Sequence, residues 1–352
     1  AAGPQAHGYR RIQMTAGNFL QFIVAGQIRE EYIFDRTGKA KPPILGGSLL
    51  YSAVATHHWG GNTGCLGVVG NNFDPSKLDR LEKKGLDFRG VKVLPQPLAV
   101  KDVYAFRGDS SNPLRENPVA IFSSYHHPLP RELLSPDEVM DSHDANQTTE
   151  NPFFTLDDIP TDYLEATCGH ICPLEISSQI QLSTLMQKGS LRMLTIQPHS
   201  ATMIPAKFDE ISILAKDCMG FITSELEIRS LFQSRTVDLW SMMETIAGFG
   251  AQTVVIKNQT TGYSMLDRMA NKKYWIPEYP LEKIDPTGEM DVFCGAFLAR
   301  FQATYDALDA VTMACAAASI KCEGTGPLSI ETSLPGLDFA RKQVLADRVI
   351  QI

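Results

Sequence analysis

Short apolar segments alternate with longer segments of helical periodicity along most of this chain, and this alternation constrains the possible folds more than any other feature. The apolar segments have the length of buried strands, about four to eight residues, and several of them contain or end in glycine. Strands that alternate with helices favour a sheet with helices packed on its faces. The pattern therefore predicts an α/β protein in which helices cover a sheet.

The predicted elements follow one another along the sequence. Predicted strands are Phe19–Gly26, Gly64–Gly70, Gly169–Cys172, Met193–Ile196, Gly220–Ile222, Thr253–Lys257, Gly262–Leu266 and Lys273–Ile276. Predicted helices are Ser48–Trp59, Asp74–Lys84, Ile176–Gln187, Ala206–Lys216, Val237–Ala247, Gly288–Thr304 and Leu308–Lys321. Two more short strands, Asp102–Phe106 and Pro118–Phe122, have no helix between them and predict a hairpin-like pair. Residues 126–151 are rich in Pro, Ser, Asp and Asn and predict an inserted acidic surface loop.

Composition and charge restrict the class of protein. The 352 residues are 43% apolar and 20% charged, which is typical of a globular chain with a large core. The net charge of −8 argues against nucleic acid or an anionic membrane as the main partner, and no apolar run approaches the roughly 18 residues of a membrane span. Residues 1–11 lack the apolar region of a signal peptide, so we expect a cytoplasmic protein.

Seven cysteines are scattered through mostly apolar segments, and this odd number is typical of reduced core cysteines. Cys168, His170 and Cys172 form the one cluster of potential metal ligands, and their alternation along a predicted strand places them on one face. No second pair of the Cys-x-x-Cys type accompanies them. A core position is therefore favoured over a metal site.

The segment Ile284–Leu298 is the strongest candidate for chemistry, because a turn of sequence Asp-Pro-Thr-Gly leads directly into a helix. Backbone N–H groups at a helix start have no partner within the helix, and with the helix dipole they form an anion site. Asp291 lies in the first turn, where a carboxylate beside a bound phosphate can take the proton of an attacking hydroxyl. The alternative is an acid that only stabilises the helix start.

This segment resembles the second signature of the ribokinase-like (PfkB) carbohydrate kinase family, Asp-Thr-x-Gly-Ala-Gly-Asp followed by Phe-x-Gly-Ala-Phe. The first signature has a counterpart in residues 46–55 and 60–63. The resemblance implies a three-layer α/β/α domain at 19–334 with a mostly parallel central sheet. It also implies a small β lid, formed by strands at about 19–34 and 100–123. Residues 1–18 would then be an N-terminal extension, and residues 335–352 a C-terminal helix.

The same resemblance implies a reaction. The γ-phosphoryl group of ATP would be transferred, with Mg²⁺, to a hydroxymethyl group of a sugar, polyol or nucleoside-like molecule. Asp291 would be the catalytic base, and the backbone N–H groups of Gly288, Glu289 and Met290 would form the anion hole. A monovalent cation near the nucleotide, and a homodimer formed through the lid, are further expectations from the family.

The resemblance also implies a nucleotide site. Its predicted residues are Ser224, Glu227, Lys257, Gln259, Thr260, Gly262, Met313 and Gly324. Glu227 would hold magnesium through water, while Lys257 and Thr260 would reach phosphate or ribose. Two alternatives remain open, in which Ser224 merely caps the following helix and residues 257–262 form a hairpin turn.

On the substrate side the resemblance points to Glu31, Gly46, Gly47, Tyr51 and Glu175. The two glycines would let the backbone approach a ligand, and Glu31 occupies the place of a family aspartate. Glu175 matches an acid that faces the sugar, with a surface position as the alternative.

Four positions depart from the family pattern. Met290 replaces a glycine where phosphate approaches, Glu289 adds a negative charge there, and Tyr51 and Ser224 replace asparagines. These departures favour an alternative function, a weak or inactive kinase-fold protein that acts as a binding or scaffold partner. Another class of enzyme on the same fold is a third hypothesis.

Overall fold

The computed structural model describes residues 20–98, 100–106, 113–114, 117–134, 154–233, 235–259 and 262–352. The predicted N-terminal extension and most of the predicted acidic loop lie outside these ranges. The strands are β1 Phe22–Ala25, β2 Arg29–Phe34, β3 Ile44–Gly46, β4 Thr63–Val69, β5 Asp87–Val93, β6 Lys101–Ala105, β7 Cys168–Ile171, β8 Met193–Ile196, β9 Gly220–Ser224, β10 Thr253–Lys257, β11 Tyr263–Asp267, β12 Lys272–Ile276 and β13 Ile350–Gln351. The α-helices are α1 Ser48–Gly60, α2 Asp79–Glu82, α3 Pro118–Ser124, α4 Ile176–Met186, α5 Phe208–Leu214, α6 Glu225–Leu231, α7 Leu239–Phe249, α8 Glu289–Thr304, α9 Ala307–Lys321 and α10 Leu337–Ala346.

The large sheet has the order β13-β12-β11-β10-β9-β8-β7-β1-β4-β5. The strands from β5 to β10 in this order pair in parallel, and the pairings from β10 to β13 are antiparallel. The parallel strands are almost entirely buried, as expected when both faces are covered. This confirms the predicted α/β class with a mostly parallel sheet and helices on its faces.

Two hydrophobic clusters form the core, one on each face of the large sheet. The first packs α1, α8 and α9 against the sheet, with Phe22, Phe293 and Phe297 almost fully buried. The second packs the helices α4 to α7, with Ile211 and Met243 at its centre. All seven cysteines are free and buried, as predicted, and His170 is buried beside Thr195. Within the described ranges no group of three or more His, Cys, Asp or Glu side chains is arranged to hold a metal ion.

A second, small sheet has the order β3-β2-β6 and corresponds to the predicted lid. Two of its predicted parts were wrong. The segment Phe22–Ala25 belongs to the large sheet, so only β2 of the range 19–34 joins the lid. Residues Pro118–Ser124 form helix α3 instead of a strand, because Asn117 caps the helix and Pro118 occupies its first turn.

The chain end also differs from the predicted helix at 335–352. Helix α10 ends at Ala346, and β13 then adds to the antiparallel edge of the large sheet beside β12. Strands β3 and β5 were not predicted at all. No helix in the described ranges has the length and apolar character needed to cross a membrane.

The sheet topology determines where a ligand site is expected. Strand β1 lies between β4 and β7, and the chain connections run in opposite directions on its two sides. Ligands of open α/β sheets bind beyond the carboxyl ends of the strands at such a switch point. The segments that follow β1, β7, β8 and β9 therefore converge on one crevice.

Candidate active site

The start of helix α8, where the sequence predicts an anion site, lies beside this crevice. Gly288 has a left-handed backbone, with φ 73°, and turns the chain from Asp285 into the helix. The Thr287 amide donates to Asp285 Oδ1 at 2.9 Å, and the Glu289 amide donates to the Pro286 carbonyl at 3.1 Å. Within the described residues the amides of Gly288 and Met290 have no acceptor. Two of the three predicted donors are therefore available to an anion, and the Glu289 amide is engaged.

Asp291 follows in the first turn with a half-buried side chain. Its backbone carbonyl accepts a hydrogen bond from Ser52 Oγ at 2.9 Å, which ties α8 to α1. No described side chain forms a hydrogen bond or an ion pair with its carboxylate. Burial raises the pKa of Asp291 to about 7. A carboxyl group with this pKa and no side-chain partner is suited to exchange a proton with a ligand near neutral pH.

Glu289 points into the protein and not toward an incoming phosphate. Its Oε2 lies 2.7 Å from Lys257 Nζ, and its Oε1 lies 2.8 Å from Lys283 Nζ. Burial alone would raise the pKa of Glu289, but the two ammonium groups lower it below the usual range. Lys257, which was predicted to reach phosphate or ribose, therefore forms an ion pair in this structure, and the charge that Glu289 adds is compensated.

Met290 is partly buried and packs against the first core cluster. The Met290 side chain therefore contacts apolar residues of the core. The predicted departure at Met290 changes the packing of the first turn, while the backbone amide stays in place at the helix start.

The predicted substrate residues Glu31, Gly46, Gly47 and Tyr51 contact one another. Glu31 Oε1 accepts from the Gly47 amide at 2.8 Å, and Glu31 Oε2 accepts from the Tyr51 hydroxyl at 2.8 Å. A Cβ atom on Gly46 would lie 2.2 Å from the same carboxylate, so only glycine fits there. Burial raises the pKa of Glu31 to about 8 despite these two donors. The residues expected to bind a sugar hydroxyl thus satisfy each other in this structure.

Tyr51 connects this cluster to the anion site. Its ring carbons Cγ and Cδ1 lie 2.4 Å from the position that a Cβ atom on Gly288 would occupy. The side chain is almost fully buried, and the hydroxyl reaches Glu31. Tyr51 therefore spans the distance between the lid strand β2 and the start of α8.

Three residues near this site were not predicted as ligand contacts. Arg29 is buried, with Nε 3.7 Å from Asp102 Oδ2, and the Tyr104 hydroxyl donates to Asp102 Oδ2 at 3.3 Å. Burial, followed by the charges of Asp102 and Glu31, raises the pKa of Tyr104, and Asp291 adds to this shift. Asp102 and Tyr104 of strand β6 therefore form one polar cluster with Arg29 of the lid. The alternation of polar and apolar residues in β6 was the available signal.

The predicted nucleotide residues have structural partners of their own. Ser224 and Glu227 form a capping box on α6, in which Ser224 Oγ accepts from the Glu227 amide and Glu227 Oε2 accepts from the Ser224 amide. The Asn258 amide donates to the Gly262 carbonyl and closes the β10–β11 hairpin, and the Gln259 amide donates to Glu225. Both structural alternatives are present, and neither excludes a ligand role. Thr260 lies outside the described residues.

The remaining predicted residues are Glu175, Met313 and Gly324. Glu175 caps α4 by accepting from the amides of Ser177 and Ser178. Met313 is buried within α9, and the Gly324 carbonyl accepts from Lys321 Nζ at 3.0 Å. The Gly324 carbonyl, in the predicted nucleotide site, therefore binds an ammonium group of the chain itself.

Comparisons with known proteins show similarity to a kinase family and to its fold. The profile of the pfkB family carbohydrate kinases matches residues 177–333. A cytidine kinase of Thermococcus kodakarensis is 24% identical over 289 residues, which are 80% of this chain and 88% of that protein. The structure of a putative ribokinase II of E. coli in complex with ATP and Mg²⁺ has a TM-score of 0.64 and 20% identity, and covers 94% of this chain and 99% of its own. A nucleoside kinase of Burkholderia thailandensis in complex with inosine has a TM-score of 0.64 and 15% identity over 92% and 98% of the two chains. The ribokinase-like fold predicted from the two signatures is confirmed.

Proposed function

We propose, from the match of residues 177–333 to the pfkB family carbohydrate kinases, that this protein is an ATP-dependent kinase. Its acceptor would be a hydroxymethyl group on a sugar, polyol or nucleoside-like molecule. One observation carries the proposal: Asp291, whose burial raises its pKa to about 7, lies in the first turn of a helix whose start offers the amides of Gly288 and Met290. A base and an anion site in the same turn are what phosphoryl transfer to an alcohol requires.

The chemistry assigned to the chain is simple. Asp291 takes the proton of the acceptor hydroxyl while the hydroxyl oxygen forms a bond to the γ-phosphorus of ATP. The bond between the γ-phosphorus and the bridging oxygen breaks, and that oxygen leaves with ADP. The amides of Gly288 and Met290 donate to the negative charge on the transferred group. Lys257 and Lys283 keep the charge of Glu289 compensated, so that it does not repel the nucleotide. Mg²⁺ bound with ATP would neutralise part of the phosphate charge. Glu227, a half-buried carboxylate in the first turn of α6, would contact the water ligands of this Mg²⁺ ion.

The activities stated for similar proteins support a sugar or nucleoside-like acceptor. The similar sequence is a cytidine kinase, and the similar structures include a ribokinase II and a nucleoside kinase with inosine. The acceptor has to share its space with Tyr51, whose ring covers Gly288 and whose hydroxyl uses Glu31. We therefore expect a compact acceptor, or a rotation of Tyr51 when the acceptor binds.

The same position of Tyr51 favours a second candidate function. If Tyr51 stays over Gly288, the chain can bind nucleotide or partners without turnover and act as a binding or scaffold protein. Wild-type protein that is stabilised by Mg-ATP, but releases no ADP with any acceptor tested, would support this second function.

The substitution Asp291→Asn tests the first proposal. Turnover, measured as ADP release with a panel of sugars, polyols and nucleosides, should fall by about 100-fold or more, because the proton has no acceptor. Stabilisation by Mg-ATP in a thermal shift assay should persist. The matched control is Asp209→Asn, an exposed acid in the first turn of α5, which should leave turnover unchanged. Retained turnover in Asp291→Asn would exclude Asp291 as the base.

A further inference from the structure

Lys321 is the last residue of α9, and its side chain is completely buried. Lysine is almost never buried to this extent unless its charge is compensated. Its Nζ donates to the carbonyl oxygens of Asp285 and Gly324, each at 3.0 Å, and lies 3.7 Å from Asp285 Oδ2. The ammonium group is therefore surrounded by oxygen atoms from two separate loops.

This oxygen set has the character of a site for a small cation. Backbone carbonyls and a carboxylate are the ligands that hard cations prefer. Asp285 is also completely buried, and its Oδ2 has no hydrogen-bond donor among the described residues. A cation is required here, since an uncompensated buried carboxylate is strongly unfavourable. Lys321 supplies that positive charge from the chain itself.

The position of the ammonium group connects it to the anion site. Asp285 Oδ1 accepts from the Thr287 amide, in the turn that leads to Gly288. Lys321 Nζ also lies 5.5 Å from the centre of the Tyr51 ring, which packs against Gly288. Lys321 therefore contacts both Asp285, which anchors the backbone of the turn, and the Tyr51 ring, which covers Gly288.

We propose that Lys321 is a tethered cation, which replaces the exchangeable monovalent cation expected from the family resemblance. It is a positioning residue for the turn from Asp285 to Gly288, and it makes the fold independent of K⁺ and Na⁺. The effect on nucleotide binding rests on the proposed kinase function, whereas the effect on stability does not.

The substitution Lys321→Ala tests this proposal, because it removes the ammonium group and leaves a cavity lined by oxygen atoms. The thermal midpoint should fall by about 10 °C in choline chloride. K⁺ or NH₄⁺ chloride at the same ionic strength should restore about half or more of this loss, because a small cation can bind where Nζ was. Loss of stability without such recovery would overturn the proposal.

The matched control is Lys342→Ala. Lys342 forms an ion pair with Asp309 near the surface and donates to no backbone carbonyl among the residues that the structure describes. Its variant should show the same thermal midpoint in choline, potassium and ammonium chloride. A recovery by K⁺ in this control as large as in Lys321→Ala would show a general salt effect and would overturn the cation assignment.

Wild-type protein provides the second measurement, which holds even if Lys321→Ala does not fold. Its thermal midpoint should be the same in potassium and choline chloride at equal ionic strength, and so should the shift produced by Mg-ATP. A specific increase of the midpoint with K⁺ would overturn the proposal. Failure of Mg-ATP to bind would contradict the kinase function only, since the stability comparison does not involve nucleotide.

Discussion

Two carboxyl groups near the lid have pKa values well above the usual range, and they have different surroundings. Asp291 has no side-chain partner for its carboxylate among the described residues, while Glu31 accepts from Gly47 and Tyr51. In both residues burial is the main cause of the raised pKa, to about 7 for Asp291 and about 8 for Glu31. At the scale of single residues, the Asp291 carboxyl group is available for proton transfer to a ligand. The Glu31 carboxylate instead stabilises the local structure through its hydrogen bonds with Gly47 and Tyr51.

The pKa of Asp291 predicts the pH dependence of turnover. A base acts only when deprotonated, so kcat/KM should rise with pH up to about 7 and then level off. The measurement is initial rate against pH, from about pH 5 to about pH 9, at saturating Mg-ATP. A rate that does not change across this range would contradict the assignment of Asp291 as the base.

The pKa of Glu31 predicts a pH dependence of stability. Because the folded state raises this pKa from its usual 4.5 to about 8, the folded protein binds the proton more tightly than the unfolded chain. The stabilisation is therefore complete at low pH and is lost as pH rises toward about 8. We expect the thermal midpoint of Glu31→Gln, relative to wild type, to increase between about pH 5 and about pH 8.

The control for this prediction is Glu30→Gln. Glu30 forms an ion pair with Lys77 at 3.2 Å and is only partly buried. Its variant should differ from wild type by a constant amount across this pH range. If Glu31→Gln behaved in the same way, the buried carboxyl group would not be titrating.

Sequence patterns predicted the site residues whose roles depend on their neighbours in the chain. They missed the contacts between residues that are distant in the sequence. Gly288 and Asp291 were found because a turn, a helix start and an acid follow one another in the chain. The pairing of Lys257 with Glu289 was missed, because it joins a strand end to a helix that is far away in sequence. Lys321 had one available signal, a lysine that directly continues an alanine-rich buried helix.

At the scale of elements, the contact between α1 and α8 joins the two signature segments. Tyr51 of α1 packs on Gly288, and Ser52 of α1 donates to the Asp291 carbonyl. The two segments that the resemblance identified separately in the sequence therefore form one surface. An asparagine at position 51 would be too short to connect Gly288 with Glu31 in the same way.

Gly288→Ala should test this contact. The new Cβ atom would lie 2.4 Å from the Tyr51 ring, and alanine also disfavours a φ of 73°. We expect a loss of roughly 2–4 kcal/mol in the free energy of unfolding, measured with urea. The double variant Tyr51→Ala/Gly288→Ala should show a favourable coupling of about 1 kcal/mol or more, because the clash is gone.

Gly336→Ala separates the two causes of this loss. Gly336 has a φ of 77°, but no atom lies within 4 Å of the position its Cβ would take. Its variant should lose only about 1 kcal/mol, from backbone strain alone. Equal losses of unfolding free energy in Gly288→Ala and Gly336→Ala would contradict this, because they would mean that the Tyr51 ring moves aside without destabilising the protein.

Elements with clear periodicity were predicted, and those decided by caps or by tertiary contacts were not. Apart from β5, the strands of the parallel sheet were predicted because they are short, apolar and bounded by turns. Helix α3 was missed because Ile121 and Phe122 favour a strand, while Asn117 and Pro118 start a helix. Strand β1 was assigned to the lid because sequence alone does not indicate which sheet a strand joins.

At the scale of the whole molecule, the order of strands explains why the site forms. The reversal of direction at β1 opens a crevice beyond the carboxyl ends of β1 and β7, and α8 begins beside it. The lid reaches the same place, because the Arg36 amide after β2 donates to the Ile284 carbonyl. The cytoplasmic location and the pairing of lids in a homodimer stay predictions.

The central claim is that the start of α8 holds the terminal phosphate of ATP beside Asp291. The most direct test is a crystal structure of the protein with Mg²⁺ and a non-hydrolysable ATP analogue. The account predicts the γ-phosphate within hydrogen-bond distance of the Gly288 and Met290 amides, with the Asp291 carboxylate facing it across room for one hydroxyl. A nucleotide bound elsewhere, with the Tyr51 ring still closed over Gly288, would contradict it.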